Sequence, residues 1–500
     1  MFEVGLGVNL MTPHAFYYTV GGGTKKDCPP SYFFQQPCFP DSGSMIRKWT
    51  RSAALLLRGR FHADTLLIFP AGIWRICDGA DLDPEFKRKT AGNSFTLDRV
   101  EHEVSEAMLA LLRRHVGFDL GDEFLMRERG VVEGGCLRLG AMRYSTVVLA
   151  TDLPLEIETQ TLLDSFRASG GRILSASPEE LDTLVPDVRI SGEGTEEILV
   201  QARDCDSFRE LFLLNLSGRD LAPRFAVDSA FSLYDPECGK VVFRGRELPE
   251  GFLLREGASL FVLPESFEGE GEIAFEESIY SSFHGESEPL LRSVRPLNDN
   301  ILAFRHASDV TFELPEGVRI TALYGENLRD SGMCVNGVRV TPEALPSHPA
   351  DPCYTGVSGE GLFRPGTNRI TFDREVETLY LAGPFQLAAS SPVFRSGEIP
   401  LTYGNLAAQG YPFYWGAMEY AFEFEGSFRF LQLELDGSAE VFLNGKCVGT
   451  ITNRPSLLSL SGFCSSGTNT MKVVLRNLAQ NFICADHPAP FGIRRAALRS

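Results

Sequence analysis

The side chains near the start of the chain that are best suited to chemistry are His14, Tyr17 and Tyr18. They follow an apolar run at residues 7–11, which the pattern predicts to be a strand. If that strand is the last of a (β/α)8 barrel, these side chains lie at its carboxyl end, where such barrels bind substrate. An imidazole can hydrogen-bond to sugar hydroxyls, and a phenol ring can pack on the face of a pyranose. The equally weighted alternative is that His14 caps a strand or holds a loop in place.

Three further motifs invite a chemical interpretation, and for each a structural role is favoured. The sequence GGGTKK at residues 21–26 lacks the spacing of a phosphate-binding loop, so a surface loop is favoured. Cys136 follows two glycines and could be the nucleophile of an amidotransferase-like domain, but no glycine two positions later makes the required sharp turn. Tyr414 and Trp415 could stack on a sugar, but a position between two sheets is favoured.

Carboxylates are the groups that usually cleave glycosidic bonds, and they act in pairs. The chain has 66 acidic residues, and none of them stands at the end of a recognisable barrel strand. The sequence alone therefore leaves the catalytic residues and any metal ligands unknown.

The composition excludes several classes of protein. The formal charge of −19 repels a phosphate backbone and no dense run of Lys or Arg offsets it, so nucleic acid is not an expected partner. The eleven cysteines are scattered without a C-x-x-C pair, which argues against a disulfide framework and a zinc site. No apolar run approaches the roughly 18 residues of a membrane span. As written, the chain is expected to be cytoplasmic with no membrane partner, although an export signal could have been lost with a true N-terminus upstream.

The positions that could do chemistry must be held by several domains, since 500 residues exceed what one core needs. Residues 1–60 are predicted to be the C-terminal end of a truncated TIM barrel. Alternating strands and helices predict a flavodoxin-like α/β domain over 61–190. Short, closely spaced apolar segments predict a β-sandwich over 191–270. A polar linker is predicted over 271–299.

The rest of the chain contains the same series of motifs twice. Asn336 and Gly337 are followed by PGTNRI from residue 365, and Asn444 and Gly445 are followed by SGTNTM from residue 466. Each Asn-Gly pair lies between alternating apolar residues, which predicts a tight hairpin turn. Two copies of one domain are therefore expected. They are predicted to be antiparallel β-sandwiches of the jelly-roll type, over 300–392 and 393–500.

The order of these segments resembles one known family. The stretch GVNLMTPHAFYYTVGGGTKKDCPPSYFFQQPCF, then ADTLLIFP, RYSTVVLA and LLDSFRASGGRI, is similar to glycoside hydrolases of the family 106 type, the α-L-rhamnosidases, and to their large unclassified relatives. The tail motifs YWGAMEYAFEFEG, AEVFLNGKCVG and SGTNTMKVVLRN resemble the sugar-binding β-sandwich of family 2 β-galactosidases and β-glucuronidases. This resemblance implies that the two predicted jelly rolls are galactose-binding-like β-sandwiches. The resemblance covers nearly the whole chain, and the order of the segments is more specific than any one of them.

The resemblance implies where substrate would bind and what is missing. It matches the first stretch to the path from the last barrel strand into a long active-site loop, a match that touches His14, Tyr17, Lys26, Asp27, Pro29, Pro30 and Pro37. His14, Tyr17, Tyr18 and Asp27 are accordingly expected to contact substrate. The family's catalytic glutamates stand upstream of anything that matches Met1. The resemblance also implies a calcium-assisted, inverting attack by water in the complete enzyme, whereas the chain itself shows no identifiable cofactor.

Two functions from different classes remain open, and both have carbohydrate as the partner. The chain is expected to be the C-terminal part of a glycoside hydrolase, with rhamnose as the sugar implied by the resemblance. The alternative is a non-catalytic carbohydrate-binding or scaffolding protein, which the lack of an identifiable carboxylate pair favours. A thiol-dependent enzyme built on Cys136 is a third hypothesis that rests on that residue alone.

Overall fold

The structure is a computed structural model, and it describes residues 1–22, 31–71, 93–388, 393–452, 454–483 and 488–500. The chain divides into two compact units. The first contains Met1–Leu10 and Lys48–Ser282, and the second contains Met11–Arg47 and Phe283–Ser500. Within the described ranges, no helix combines the length and the apolar character needed to cross a bilayer.

The first unit has both helices and strands. Its helices are α1 (Phe2–Gly5), α2 (Ser42–Leu56, from Lys48 onwards), α3 (Asn93–Arg113), α4 (Glu123–Arg129), α5 (Ile157–Ala168) and α6 (Pro178–Leu181). Its strands are β1 (Arg60–Phe61), β2 (Thr65–Phe69), β3 (Phe118–Asp122), β4 (Gly130–Glu133), β5 (Cys136–Leu139), β6 (Met142–Tyr144), β7 (Thr146–Leu149), β8 (Arg172–Ser175), β9 (Ile190–Ser191), β10 (Ile198–Cys205), β11 (Phe208–Asn215), β12 (Arg224–Phe225), β13 (Phe231–Asp235), β14 (Lys240–Gly245) and β15 (Ser259–Pro264).

A parallel sheet with the strand order β3-β2-β7-β8 organises the first part of this unit. Successive side chains of its central strands point to opposite faces, and both faces are covered by helices. Leu66, Ile68 and Val147 pack with α4 and α5 on one face. Leu67 and Val148 pack with α3 and α6 on the other. The predicted alternation of strands and helices is confirmed, and so is an α/β class for this part of the chain.

An antiparallel sheet with the order β1-β10-β11-β15-β13-β14 forms the second part of the unit. A separate pair, β9 with β12, lies outside that sheet. Leu211, Leu213, Leu260 and Val262 are buried in its core. The loss of helical periodicity after residue 190 in the sequence therefore corresponds to a change from α/β to β structure.

A carboxyl at the end of β13 is buried in this unit. Asp235 is 4% exposed and accepts hydrogen bonds from the backbone N–H of Glu237 at 2.7 Å and from the Cys238 thiol at 3.4 Å. Burial, and next the charge of Glu237, raises the pKa of Asp235 to about 6 from an ordinary value of 3.8. Glu237 itself pairs with the buried ammonium of Lys48 at 2.9 Å. The ionised form of Asp235 is therefore disfavoured in the folded protein.

Replacement of Asp235 by asparagine is expected to stabilise the protein at neutral pH. Between the unfolded and folded pKa values, the native state holds a proton that the unfolded chain has released, so stability falls as the pH rises from about 4 to 6. Above pH 6 the folded protein bears the full cost of burying the ionised carboxylate. Asp235→Asn should therefore raise the free energy of unfolding by about 2–3 kcal/mol at pH 7.5 but change it little at pH 4. Denaturant titrations at both pH values check this, with the exposed Glu268→Gln as control. An equal gain at both pH values would contradict the assignment.

The second unit is built almost entirely from strands. Its described helices are α7 (Gln480–Ile483) and the start of α2, residues 42–47, and short 3-10 turns lie at Phe39–Asp41 and Leu328–Asp330. Its strands are β16 (Glu286–Ser287), β17 (Leu290–Pro296), β18 (Asn300–Leu314), β19 (Ala322–Glu326), β20 (Cys334–Val335), β21 (Val338–Arg339), β22 (Ala344–Leu345), β23 (Tyr354–Ser358), β24 (Gly366–Gly383), β25 (Ala417–Glu425), β26 (Phe430–Asp436), β27 (Ser438–Leu443), β28 (Lys446–Ile451), β29 (Leu457–Ser459), β30 (Thr468–Arg476) and β31 (Gly492–Arg499).

These strands contribute to two large apolar cores, and a smaller buried cluster includes Ile301, Tyr354 and Phe482. One sheet has the order β21-β20-β24-β19-β23-β22, with β18 also paired to β24, and it encloses a core that includes Leu323 and Leu379. Two further sheets, β17-β25-β30-β27-β28 and β16-β31-β26-β29, contribute side chains to a second core that includes Tyr420 and Leu431. The long strands alternate buried and exposed side chains, which is the pattern of sheets with one face in a core.

Each predicted Asn-Gly hairpin is present. β20 pairs with β21 and β27 pairs with β28, each across a two-residue turn. Asn336 and Gly337 have φ of 51° and 81°, and Asn444 and Gly445 have φ of 51° and 80°. Positive φ at both turn residues defines the turn type that suits the twist of a hairpin and that Asn-Gly adopts most readily. The hairpin prediction is therefore confirmed in both places.

The two hairpins also share a buried asparagine next to each turn. Asn336 Nδ2 donates to Asn368 Oδ1 at 3.1 Å, and Asn444 Nδ2 donates to Asn469 Oδ1 at 2.8 Å. The Oδ1 of each turn asparagine also accepts a hydrogen bond from the backbone N–H of the residue after the buried asparagine. These donors are Arg369, at 2.9 Å, and Thr470, at 3.0 Å. Both buried asparagines are fully inaccessible to solvent. The repeated sequence motifs thus encode one repeated network of hydrogen bonds.

The structure differs from the sequence predictions in two segments. Residues 7–11 do not form a strand, so the prediction of a barrel strand there is wrong. Helix α1 precedes the run, Gly7 has a φ of 105°, and the Val8 N–H donates to the Glu3 carbonyl, so the chain turns back on itself. No described strand pairs with residues 7–11, and a strand needs such a partner for its backbone groups. Residues 271–299, predicted as a linker, contain β16 and β17, which pair with β31 and β25.

Candidate functional site

Three of the four predicted contact residues lie on one irregular segment of the second unit, residues 14–22. His14 is exposed, Tyr17 is half-buried and the side chain of Tyr18 is 89% exposed. Asp27, the fourth, lies outside the described residues. The segment has no regular secondary structure, so its conformation must come from side-chain contacts.

A buried aspartate supplies the main contacts of this segment. Asp351 is fully inaccessible to solvent and accepts hydrogen bonds from Thr19 Oγ1 at 2.5 Å and from the Val20 N–H at 2.7 Å. It also accepts from the Cys353 N–H at 2.9 Å and from Gln35 Nε2 at 3.2 Å. Four donors satisfy a carboxylate that would otherwise be costly to bury. Asp351 therefore fixes the two residues that follow Tyr18.

Gln35 fixes the segment from its other side. This fully buried side chain donates to the Tyr17 carbonyl at 2.8 Å as well as to Asp351, and its Oε1 accepts from Ser31 Oγ at 2.8 Å. Its own carbonyl accepts from the indole N–H of Trp415 at 2.8 Å. The backbone on both sides of Tyr18 is therefore held, while its ring remains free of the core.

Aromatic side chains form the layer below these anchors. His348 stacks on Phe482 with ring centroids 4.5 Å apart and meets the rings of Tyr324 and Trp415 edge-on. Burial lowers the pKa of His348 to about 3, and its Nδ1 accepts from the Ala350 N–H at 3.1 Å. His348 is therefore a neutral packing residue next to Asp351, and acid–base chemistry at neutral pH is not a role it can serve.

Further exposed rings lie on or near the segment, whereas the ring of Tyr17 packs against a buried cluster that includes Val20 and Phe482. Besides Tyr18, Phe16 is 53% exposed and Tyr32 is 49% exposed. The Tyr32 N–H donates to the Ala15 carbonyl at 3.0 Å, and the ring of Phe16 lies 5.5 Å from that of Phe33. We call the side chains of His14, Phe16, Tyr17, Tyr18 and Tyr32 the aromatic surface. Such a surface can pack against an apolar face and offer hydroxyl and imidazole groups to hydrogen-bonding partners.

The other predicted positions behave as packing residues. Tyr414 is fully buried, and its hydroxyl donates to the Ala417 carbonyl at 2.6 Å, so the favoured core role is confirmed for it. Trp415 is half-buried and engaged with Gln35. Cys136 is a half-buried residue at the start of β5. The Gly-rich loop at residues 21–26 lies mostly outside the described residues.

The residues that hold the segment were not found from the sequence. Asp351 and His348 belong to the stretch HPADPCY, where the two prolines around a lone aspartate are the only local signal of a fixed turn. Nothing in the sequence around Gln35 indicates its role, because Asp351 and Trp415, to which it is hydrogen-bonded, are distant in sequence.

The described side chains do not supply the ligands of calcium, the metal that the family resemblance implies. Calcium takes six to eight oxygen ligands, several of them carboxylates. Nowhere in the described ranges do three or more His, Cys, Asp or Glu side chains converge as a metal site requires. Asp351 already accepts four hydrogen bonds. The described residues therefore do not fit a calcium site, and none of them is assigned to the metal.

Comparison with known proteins gives distant similarities to solved structures. No protein-family model and no curated protein matches the chain. A rhamnosidase from Novosphingobium sp. PP1Y is 13% identical over 93% of this chain and 41% of its own, with a TM-score of 0.45. An α-L-rhamnosidase from Streptomyces avermitilis, complexed with L-rhamnose, is 12% identical over 56% of this chain and 36% of its own, with a TM-score of 0.18. A GH78 family rhamnosidase of Bacillus sp. GL1 is 11% identical over 60% and 44%, with a TM-score of 0.15. The chain thus spans about two fifths of the length of the Novosphingobium protein.

Proposed function

We propose that this chain is a carbohydrate-active protein, the C-terminal part of a glycoside hydrolase of the α-L-rhamnosidase type, and that its aromatic surface contacts saccharide. The observation that carries the proposal is the 89% exposed ring of Tyr18, on a segment whose next two residues are bound to the buried Asp351. The order of sequence segments that resembles family 106 hydrolases supports the same class.

A fixed, exposed ring suits a sugar for physical reasons. The C–H face of a pyranose loses apolar surface to water when it packs on an aromatic ring. Because Thr19, Val20 and the Tyr17 carbonyl are already held, little backbone freedom is lost on binding. We assign the stacking contact to Tyr18 and hydroxyl contacts to His14 and Tyr17. Asp27 is a further proposed contact, on the family resemblance alone.

The alternative is a protein that binds carbohydrate without cleaving it. One observation favours it for the aromatic surface itself. Asp351, the carboxylate that anchors this surface, is fully buried and committed to four donors, so it cannot act as an acid or base on a bound sugar. In the hydrolase proposal, the aromatic surface therefore positions substrate, and the reacting carboxylates lie elsewhere.

Removal of the Tyr18 ring should weaken saccharide binding. The loss of one stacking contact of about 1 kcal/mol corresponds to a roughly fivefold weaker Kd for Tyr18→Ala, whereas Tyr18→Phe should keep most of the affinity. Isothermal titration with methyl α-L-rhamnoside, methyl β-galactoside and methyl β-glucoside measures this. Ile157→Ala in the first unit, which also removes an exposed apolar side chain, is the matched control. Equal affinity of wild type and Tyr18→Ala for every sugar bound would remove the surface from the proposal.

Hydrolysis assays separate the two functions. Aryl glycosides, led by the α-L-rhamnoside, should be offered to this chain and to a version extended upstream to a full barrel. Turnover by the extended protein, with binding alone by this chain, would support the hydrolase proposal. Binding without turnover by both would favour the non-catalytic alternative, and absence of binding by either would exclude both.

A further inference from the structure

The first unit contains a large cavity whose lining residues have no role in the proposed function. Its volume is about 910 Å³, within the range of small-molecule sites. It lies beside the β10–β11 hairpin and the short β9–β12 pair, and residues 186–189 line one side of it. All the side chains that line it belong to the first unit, so it is separate from the aromatic surface.

The side chains that line the cavity include charges of both signs that do not neutralise each other. Arg189 and Arg224 are exposed and form no ion pair with any described residue. Asp206 and Asp228 are also exposed and equally without an ion pair within the described ranges. Phe208, at the start of β11, adds a half-buried ring to the same wall. Unpaired donors and unpaired acceptors beside an aromatic ring match a ligand that both donates and accepts hydrogen bonds and has an apolar face.

Other polar side chains that line the cavity are held in fixed positions. Asp204 is held between the His62 ring, whose Nδ1 lies 2.9 Å from it, and Arg209, whose Nε donates to it at 3.0 Å. The side chain of Asp187 is only 6% exposed and lies 3.8 Å from His62 Nε2. Burial raises the pKa of the Asp187 carboxyl above its ordinary value. Groups held in this way can select a ligand without being reorganised by it.

We propose that this cavity binds a neutral saccharide, with Arg189 and Arg224 donating to its hydroxyls, Asp206 and Asp228 accepting from them, and Phe208 packing on a ring face. Sugar hydroxyls both donate and accept, so they can satisfy guanidinium and carboxylate groups together. An anionic ligand would meet the carboxylates of Asp204, Asp206 and Asp228, and a cationic one would meet the three arginines of the same walls. The choice of a saccharide over a zwitterion rests on the proposed function, whereas the site itself, in the first unit, is argued without the aromatic surface.

Titration calorimetry with defined trisaccharides tests the site. The probes are neutral trisaccharides of glucose, galactose, mannose and L-rhamnose, with the galacturonic acid trimer as the charged counterpart. Arg189→Ser combined with Arg224→Ser should weaken binding of the best neutral probe at least tenfold, because two charged donors are lost. Arg246→Ser, which removes an exposed arginine of the same unit outside the cavity, should leave the affinity unchanged.

The variants distinguish binding in the cavity from binding on the aromatic surface. The proposal holds if the double arginine variant loses affinity while Tyr18→Ala keeps it, with thermal unfolding of both variants unchanged. It is overturned if no neutral trisaccharide binds at millimolar concentration, or if the arginine substitutions leave the affinity intact. Tighter binding of the galacturonic acid trimer than of every neutral probe would also overturn it. Loss of affinity only in Tyr18→Ala would place the binding on the aromatic surface instead.

Discussion

Replacement of Asp351 by alanine is expected to destabilise the second unit by about 3–5 kcal/mol, because a buried carboxylate and its partners are lost together. Four donors lose their acceptor, two of them backbone N–H groups. The segment at residues 14–22 has no regular secondary structure to hold it once these bonds are gone. Tyr18 should then lose its fixed position, and any saccharide affinity of the aromatic surface should be lost with it.

Denaturant titration measures the free energy, and two further variants sharpen the result. Asp351→Asn keeps the size and one oxygen but turns an acceptor toward the Val20 N–H and Gln35 into a donor, so it should cost nearly as much. Asp330→Ala removes an exposed aspartate of the same unit and should change stability by less than about 0.5 kcal/mol. An Asp351→Ala protein as stable as the Asp330→Ala protein would show that the buried network does not hold the segment.

Replacement of either repeated asparagine, Asn368→Ala or Asn469→Ala, is expected to cost about 3 kcal/mol, and the two losses should be alike. The Nδ2 of Asn469 donates to the carbonyls of Gly426, Ser465 and Gly467, while its Oδ1 accepts from the side chain of Asn444. Alanine removes the buried amide with which these three carbonyls and the Asn444 side chain form hydrogen bonds. It also frees the turn asparagine, so each hairpin should fray together with the bend below it.

Aspartate at the same two positions provides the matched comparison. It preserves the Oδ1 acceptor and removes the Nδ2 donor, so Asn368→Asp and Asn469→Asp leave the backbone carbonyls unpaired and bury a charge. Both should be at least as destabilising as alanine at pH 7. Thermal unfolding of the four variants checks the series. If one copy tolerates substitution and the other does not, the shared network is not what stabilises the two copies.

Sequence reasoning succeeded where the determining interactions are local. The Asn-Gly turns depend on the two residues that adopt positive φ and on the apolar alternation beside them, and both are visible in the sequence. The α/β part was equally accessible, because strands such as β2 and helices such as α3 have uninterrupted periodicity. These elements need no knowledge of distant partners.

The same reasoning failed where a distant partner decides the outcome. Residues 7–11 have the composition of a strand but find no described strand to pair with, so the chain turns instead. Asp351 is one carboxylate among 66, and its donors at Thr19, Val20 and Gln35 lie more than 300 positions earlier in the chain. Nothing in the local sequence distinguishes it from a solvated acid. Periodicity and motifs in the sequence therefore could not identify Asp351 as the residue that holds the candidate site.

The geometry of the two Asn-Gly turns also governs how the protein ages chemically. Asn-Gly is the dipeptide most open to succinimide formation, in which the glycine nitrogen attacks the asparagine side-chain carbonyl carbon and ammonia leaves. In Asn336 and Asn444 that amide is held by hydrogen bonds at both its oxygen and its nitrogen, so it cannot swing toward the attacking nitrogen. Deamidation is thus suppressed in the native state and released by unfolding, and isoaspartate at these two positions would record how long a molecule has spent unfolded.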